Sequence, residues 1–180
     1  MNDTENSHLW IEGATQFIPS LNKLLDRANQ SMPIVNVNSF DNDDMYVLGD
    51  ILMNHKSDKS TTHNYNILYS HILNLLGKTK KLNLLEIGLG TNNPNIVSSM
   101  GTEGRPGASI YAFREYLPNA QIYGADVDKD ILFQDERIKT AFVDQMKPET
   151  FQTMLESFKD IPKFDFIIDD GLHSIAANFN

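Results

Sequence analysis

The 180-residue chain contains no cysteine, comparatively few basic residues and no long apolar segment. The lack of cysteine excludes disulfide bonds, thiolate metal sites and a cysteine nucleophile, and it is compatible with a reducing compartment. Lysine and arginine number 15 against 24 acidic residues, so the formal charge at pH 7 is −9. Because a surface of this sign repels phosphate backbones, we expect no nucleic acid among the partners.

No stretch approaches the ~20 consecutive apolar residues that a membrane-spanning helix requires. The acidic, polar start of the sequence also lacks the basic and apolar regions of a signal peptide. We therefore expect a cytoplasmic protein without a membrane partner. An apolar fraction of 41% and a charged fraction of 22% are typical of a globular chain, and the length suits one domain. The sequence is compatible with a homo-oligomer.

The first 80 residues carry three amphipathic patterns and predict a helical N-terminal region, residues 1–80, that acts as a lid. One pattern begins near Pro19, and the next follows an acidic cluster at residues 41–44 that can cap a helix. The last runs from Tyr65 to Leu76 and stops at Gly77, which is a favourable residue for a helix end.

From residue 82 the pattern changes to short apolar runs separated by helical segments. Residues 82–87, 121–127, 138–143 and 164–168 predict strands, whereas residues 109–117 and 148–159 predict helices. Strands that alternate with helices are typical of a parallel sheet built from right-handed βαβ units. The predicted fold class is α/β, a Rossmann-like doubly wound parallel sheet, with residues 81–180 as its ligand-binding domain.

Each predicted strand ends in an acidic residue or a glycine turn. In chain order these are Glu86, Gly88 and Gly90, then Asp126, then Asp144, and finally Asp169 and Asp170 with His173 close behind. Ligands of an open parallel sheet bind beyond the carboxyl ends of its strands. Each carboxylate could instead cap a helix or face solvent, but their repetition at one edge favours a binding site.

The glycine turn departs from the common nucleotide-binding motifs. Asn93 stands where a dinucleotide-binding sequence has its third glycine, and no P-loop lysine follows. Glu86, two positions before Gly88, suits a ligand with a positive group, such as S-adenosylmethionine. Asp126 could then accept hydrogen bonds from ribose hydroxyls, and Asp144 could accept one from adenine. A nicotinamide-dependent dehydrogenase is the less favoured alternative.

Six segments in a fixed order are more specific than any one of them. They are SDKSTTHNY at 57–65, LEIGLG at 85–90, PGAS at 106–109, IYGADVD at 122–128, VDQ at 143–145 and IDDGLH at 168–173. With them the chain from about residue 49 resembles class I S-adenosylmethionine-dependent methyltransferases, and more narrowly the macrocin-type and mycinamicin-type sugar O-methyltransferases.

The resemblance implies roles for individual residues. It places Glu86, Gly88 and Gly90 at the methionine end of the cofactor, Asp126 at the ribose and Asp144 near the adenine. Further residues expected at the cofactor pocket are Asp58, Lys59, His63, Tyr65 and Ser109.

In the macrolide-sugar relatives a magnesium ion binds the sugar hydroxyls, and a histidine acts as general base. By resemblance, Asp170 is a catalytic residue and a magnesium ligand, and His173 is the base, a role that suits an imidazole near neutral pH. The relatives' remaining ligands follow a fifth strand that this sequence does not contain. Because the family fold has seven strands and four are readable here, we expect a truncated chain.

The expected function is methyl transfer from S-adenosylmethionine to a hydroxyl of a small molecule, a sugar or glycoside, with Mg²⁺ as a second cofactor. The alternative is a cofactor-binding module without turnover, because part of the metal and acceptor site is missing from the sequence. The acceptor itself is not encoded in any motif that we can interpret.

Overall fold

The structure is a computed structural model that describes residues 43–159, 161 and 163–179. The helix predicted near Pro19 lies outside these residues. The helices are α1 Asp43–Asn54, α2 Tyr65–Leu76, α3 Ala108–Tyr116, α4 Pro148–Ser157 and α5 Ile175–Phe179. The strands are β1 Asn83–Ile87, β2 Gln121–Asp126, β3 Gln134–Asp135, β4 Ile138–Phe142 and β5 Phe166–Asp169. Short 3-10 turns cover Asp58–Ser60 and Lys129–Ile131.

The helix ends follow the signals in the sequence. Asp43 and Asp44 occupy the first turn of α1, where carboxylates interact favourably with the helix dipole. Gly77 follows α2 with a φ of 98°, a left-handed conformation that glycine adopts without a steric penalty. Pro148 begins α4, where its missing N–H has no helical partner to lose.

The five strands form one sheet in the order β3-β4-β2-β1-β5. β1, β2, β4 and β5 are parallel, whereas β3 is antiparallel to β4. The predicted Rossmann-like α/β fold is therefore confirmed. The sequence did not predict β3, because two exposed polar residues have no recognisable strand pattern.

The order of the strands places the site. From β1 the chain builds outward through β2 and β4, and it then returns to the other side of β1 to form β5. Strand order thus reverses at β1, and ligands of open α/β sheets bind beyond the strand ends at such a point.

Helices cover both faces of the sheet. Helices α1, α2 and α3 pack on one face, where Leu52, Leu73 and Phe113 are fully buried. Met154 of α4 and Phe158 pack against the other face. Residues 43–76 therefore share a core with the sheet, and the boundary that we predict at residue 80 stays a prediction.

β5 forms one edge of the described sheet and pairs with β1. Its Ile167 is 55% exposed. None of the described helices has the length and apolar character needed to cross a bilayer.

The contribution of α1 to the core can be tested with two neighbouring residues. Leu52 is 0% exposed and Met53 is 52% exposed. Leu52→Ala should lower the free energy of unfolding by about 2–5 kcal/mol, because it opens a cavity in the shared core. Met53→Ala should change it by about 0.5 kcal/mol or less. Urea denaturation measures both values, and similar small losses would mean that α1 does not belong to this core.

Candidate functional site

Two cavities lie beyond the carboxyl ends of the strands, and both are lined by Gly88 and Ser98. The first has a volume of about 190 Å³ and includes Asp126 and Asp144 in its lining. The second has a volume of about 440 Å³. Seven predicted site residues line the second cavity: Asp58, Lys59, Glu86, Gly88, Gly90, Ser109 and Asp170. His63, Tyr65 and His173 lie outside the lining of both cavities.

The glycine turn after β1 requires glycine at Gly88. Its φ is 88°, and a Cβ atom there would lie 2.3 Å from the backbone oxygen of Asp170. The Gly88 N–H donates to the carbonyl of Ala125, at 2.8 Å, so the turn is held between β2 and the loop after β5. At Gly90, with φ 76°, a Cβ would instead meet the flexible side chain of Met100.

The carboxylate of Asp126 holds this turn in place. It is 6% exposed, and its Oδ2 accepts the Leu89 N–H at 2.7 Å while its Oδ1 accepts the Asp128 N–H at 2.8 Å. Carboxylate oxygens each have a second lone pair, so Asp126 can also accept hydrogen bonds from a ligand in the first cavity. The sequence predicts that Asp126 contacts a ligand. In the structure Asp126 also fixes the backbone of the glycine turn.

Glu86 is fully buried at the end of β1. The Ser109 hydroxyl lies 2.7 and 2.6 Å from its two carboxylate oxygens, and Lys59 Nζ lies 3.1 Å from Oε1. Ser109 belongs to the first turn of α3, where the helix dipole also favours a negative charge. Burial raises the pKa of Glu86, and the neighbouring Lys59 and Ser109 oppose that shift.

The ammonium group of Lys59 joins Glu86 to Asp170, since it also donates a hydrogen bond to Asp170 Oδ2. Burial alone would lower the pKa of Lys59, but Glu86 and Asp170 outweigh it and hold that pKa above its ordinary value. We call these three residues the Glu86–Lys59–Asp170 cluster. It connects β1, the 3-10 turn at Asp58–Ser60 and the loop that follows β5.

Asp144 lies beside the first cavity, and its carboxylate has local partners. Its Oδ2 is 2.9 Å from Lys147 Nζ, and its Oδ1 accepts the Met146 N–H at 3.0 Å. The hydrogen bond from Lys147 keeps the pKa of Asp144 below its ordinary value. Asp144 is therefore an ionised acceptor at the rim of the cavity.

Gln145 has a role that the sequence did not reveal. Its Nε2 donates to Asp169 Oδ1 at 3.0 Å, and its Oε1 accepts the Leu172 N–H at 2.7 Å. A Cβ atom on Gly171 would lie 2.0 Å from that Oε1, so a larger residue there would displace the Gln145 side chain. Gln145 thus fixes the loop that carries Asp170. Its position at a strand end was visible in the sequence, but its partners 24 and 27 residues away were not.

The two predicted histidines and Tyr65 lie at the periphery. The His63 ring stacks on Tyr65 with 4.9 Å between ring centroids, and its Nε2 is 3.8 Å from Asp58 Oδ2. The His173 side chain is 71% exposed, with its Nε2 3.8 Å from Asp170 Oδ1. His173 therefore lies next to the Glu86–Lys59–Asp170 cluster, whereas His63 packs against the start of α2.

The described residues contain no group of three or more histidine or acidic side chains that could hold a metal ion. One oxygen of Asp170 pairs with Lys59. Mg²⁺ requires near-octahedral oxygen coordination, and it is usually held by one or two carboxylates together with water and substrate. Asp170 can contribute one such ligand, but the described residues do not supply a complete protein site.

A scan against models of protein families finds no match for this sequence, and a search of curated proteins finds none either. The fold is similar to three solved structures of the MycE methyltransferase from the mycinamycin biosynthetic pathway. The structure in complex with Mg and SAH, crystal form 1, is 25% identical with a TM-score of 0.59, and the match covers 73% of this chain and 33% of that chain. The complex with Mg, SAH and mycinamycin VI is 23% identical with a TM-score of 0.58, over 73% and 33% of the two chains.

The chain thus spans about a third of the length of MycE. Over that part it has the fold of an S-adenosylmethionine-dependent methyltransferase, and the resemblance predicted from the six sequence segments is confirmed at the level of the fold.

The steric requirement at Gly88 can be tested against a matched glycine. Gly88 and Gly101 both have positive φ values, of 88° and 74°, but an added Cβ meets backbone only at Gly88 and meets nothing within 4 Å at Gly101. Gly101→Ala should cost roughly 1–2 kcal/mol of stability from the left-handed backbone alone. Gly88→Ala should cost about 1–3 kcal/mol more, because the turn must also move away from Asp170. Equal losses in urea denaturation would contradict the close approach of these two loops.

Proposed function

We propose that this protein binds S-adenosylmethionine and transfers its methyl group to a hydroxyl of a small molecule. The observation that carries the proposal is the pair of cavities that meet at Gly88, with buried Glu86 in one lining and Asp126 in the other. The similarity of the fold to MycE, a methyltransferase solved with SAH, supports the same class of activity.

The residues present fit the cofactor. The amino-acid end would lie in the second cavity, where the carboxylates of Glu86 and Asp170 are placed to attract its α-ammonium group. The ribose would contact Asp126, and the adenine would enter the first cavity, which has apolar walls from Ile87, Val127 and Val143. A Cβ-free backbone at the glycine turn allows close approach of such a ligand.

The bound cofactor would supply an electrophilic methyl group, and the protein would supply position and proton transfer. Close positioning of two reactants is itself a large contribution to rate. The neutral imidazole of His173 can take the proton of the acceptor hydroxyl, and the neighbouring Asp170 carboxylate then stabilises the imidazolium. Gln145 keeps the loop of Asp170 and His173 against the sheet.

We propose a sugar or glycoside as the acceptor and Mg²⁺ as a second cofactor with Asp170 as one ligand. The support is that MycE was solved with Mg and with mycinamycin VI. The described residues offer no complete protein ligand set for the metal. That same observation favours the second candidate function, a module that binds the cofactor without turnover. We propose a cytoplasmic location for either function.

Cofactor identity can be tested by calorimetric titration. The protein should bind S-adenosylhomocysteine (SAH) and not NAD. Asp126→Ala should weaken SAH binding, because each lost charge-assisted hydrogen bond contributes about 1.5–3 kcal/mol. Asp130→Ala is the control, since that residue is exposed near the same strand end and lines neither cavity. Affinity for NAD without affinity for SAH, in folded protein, would refute the proposal.

Turnover separates the methyltransferase from the binding module. Methyl transfer from labelled S-adenosylmethionine to a panel of sugars and glycosides should be detectable and should fall on addition of a chelator. His173→Ala should lower the rate by roughly 10²–10⁴ with SAH affinity preserved, as expected for a lost general base. The control His71→Ala, on α2 and outside the lining of both cavities, should keep the rate. SAH binding without any transfer would favour the binding module, and an unchanged rate in His173→Ala would exclude this residue as the base.

A further inference from the structure

The ammonium group of Lys59 lies where the amino-acid end of the proposed cofactor would enter. Its Nζ is 3.1 Å from Glu86 Oε1, and it also donates to Asp170 Oδ2. The side chains of Lys59 and Glu86 are 5% and 0% exposed, so water has almost no access to this ion pair. Asp170 is more accessible, with 34% of its side chain exposed. The buried carboxylate of Glu86 therefore already has a cationic partner within the protein.

The charge of the Glu86–Lys59–Asp170 cluster determines what it can attract. With all three groups ionised, two carboxylates and one ammonium give a net charge of −1. An anion that approached Lys59 would meet both carboxylates within hydrogen-bond distance of that ammonium. The cluster thus favours an additional cation and disfavours the carboxylate of a ligand.

Other cations are available for a ligand carboxylate. Lys56 and Arg105 line the same cavity, and neither forms an ion pair with another residue of the described chain. The first turn of α3, which also borders this cavity at Ala108 and Ser109, adds the positive end of a helix dipole. Lys59 is therefore not needed to bind an anion there.

We propose that Lys59 is a built-in counter-ion that occupies the place of the ligand's α-ammonium at Glu86 and thereby sets the affinity for the cofactor. The inference rests on the proposed function. When the ligand's ammonium reaches Glu86, Lys59 keeps Asp170 as its partner. Without ligand, Lys59 stabilises the pocket through its ion pair with Glu86. This ion pair is lost when the ligand binds. Lys59 therefore opposes the binding of a ligand that carries an ammonium group.

The test compares two ligands that differ in the amino-acid group. SAH carries the α-ammonium, whereas 5′-methylthioadenosine has the same adenosine and sulfur without it. Lys59→Met should bind SAH roughly tenfold more tightly or better, because a repelling charge is removed at short range. Its affinity for 5′-methylthioadenosine should stay the same. The control Lys56→Met removes an equal charge from an exposed position on the same cavity and should not tighten SAH binding.

Glu86→Gln provides a second variant with the lysine retained, in case Lys59→Met does not fold. Its affinity for SAH should fall towards its affinity for 5′-methylthioadenosine. The affinity for 5′-methylthioadenosine itself should not change. Thermal unfolding without ligand gives a separate readout: Lys59→Met should lower Tm, and adding Glu86→Gln to it should recover part of the loss, since no unpaired buried charge remains.

The results that overturn the inference are distinct from those that overturn the proposed function. Weaker or unchanged SAH binding in Lys59→Met would overturn the counter-ion role, as would equal changes for both ligands. A retained preference for SAH in Glu86→Gln would do the same. A wild-type protein that binds neither ligand would overturn the proposed function and this inference together.

Discussion

The burial of one carboxylate, that of Glu86, constrains much of this structure. A charge at 0% exposure at the end of the central strand is tolerated only if it is paired and hydrogen-bonded. Ser109 brings the start of α3 to it, and Lys59 brings the short turn between α1 and α2. Because Lys59 also bonds to Asp170, the same requirement draws in the loop after β5. Four segments that are distant in sequence thus converge at one point.

Hydrogen bonds of two buried side chains hold the rest of the site together. Asp126 accepts two N–H groups around the glycine turn, and Gln145 bridges the ends of β4 and β5. The space at Gly88 requires glycine, since an added Cβ atom would overlap the backbone of Asp170, whereas at Gly171 it would displace the Gln145 side chain. Asp126 and Gln145 therefore hold the framework, and they can also accept a hydrogen bond from a ligand, because carboxylate and amide oxygens accept more than one.

The fold of this chain is similar to that of MycE. The similarity extends over 73% of this chain and 33% of MycE. The chemistry that we propose needs an acceptor and a base beside the cofactor cavities, and the described residues offer His173 and Asp170 on that side. One oxygen of Asp170 pairs with Lys59, and the described residues contain no cluster of three or more candidate metal ligands.

The sequence by itself determined the fold class, the four parallel strands and the sheet edge at which the two cavities lie, because apolar periodicity and strand-end residues are local signals. Most of the residues that the sequence nominates for the site line one or both of the two cavities. Only the tertiary structure decided which partners those residues have. The Lys59–Asp170 pair joins residues 111 positions apart, and the Gln145 bridge spans 24 and 27 positions. Such pairings depend on strand order and loop geometry, and no local pattern in the sequence encodes them.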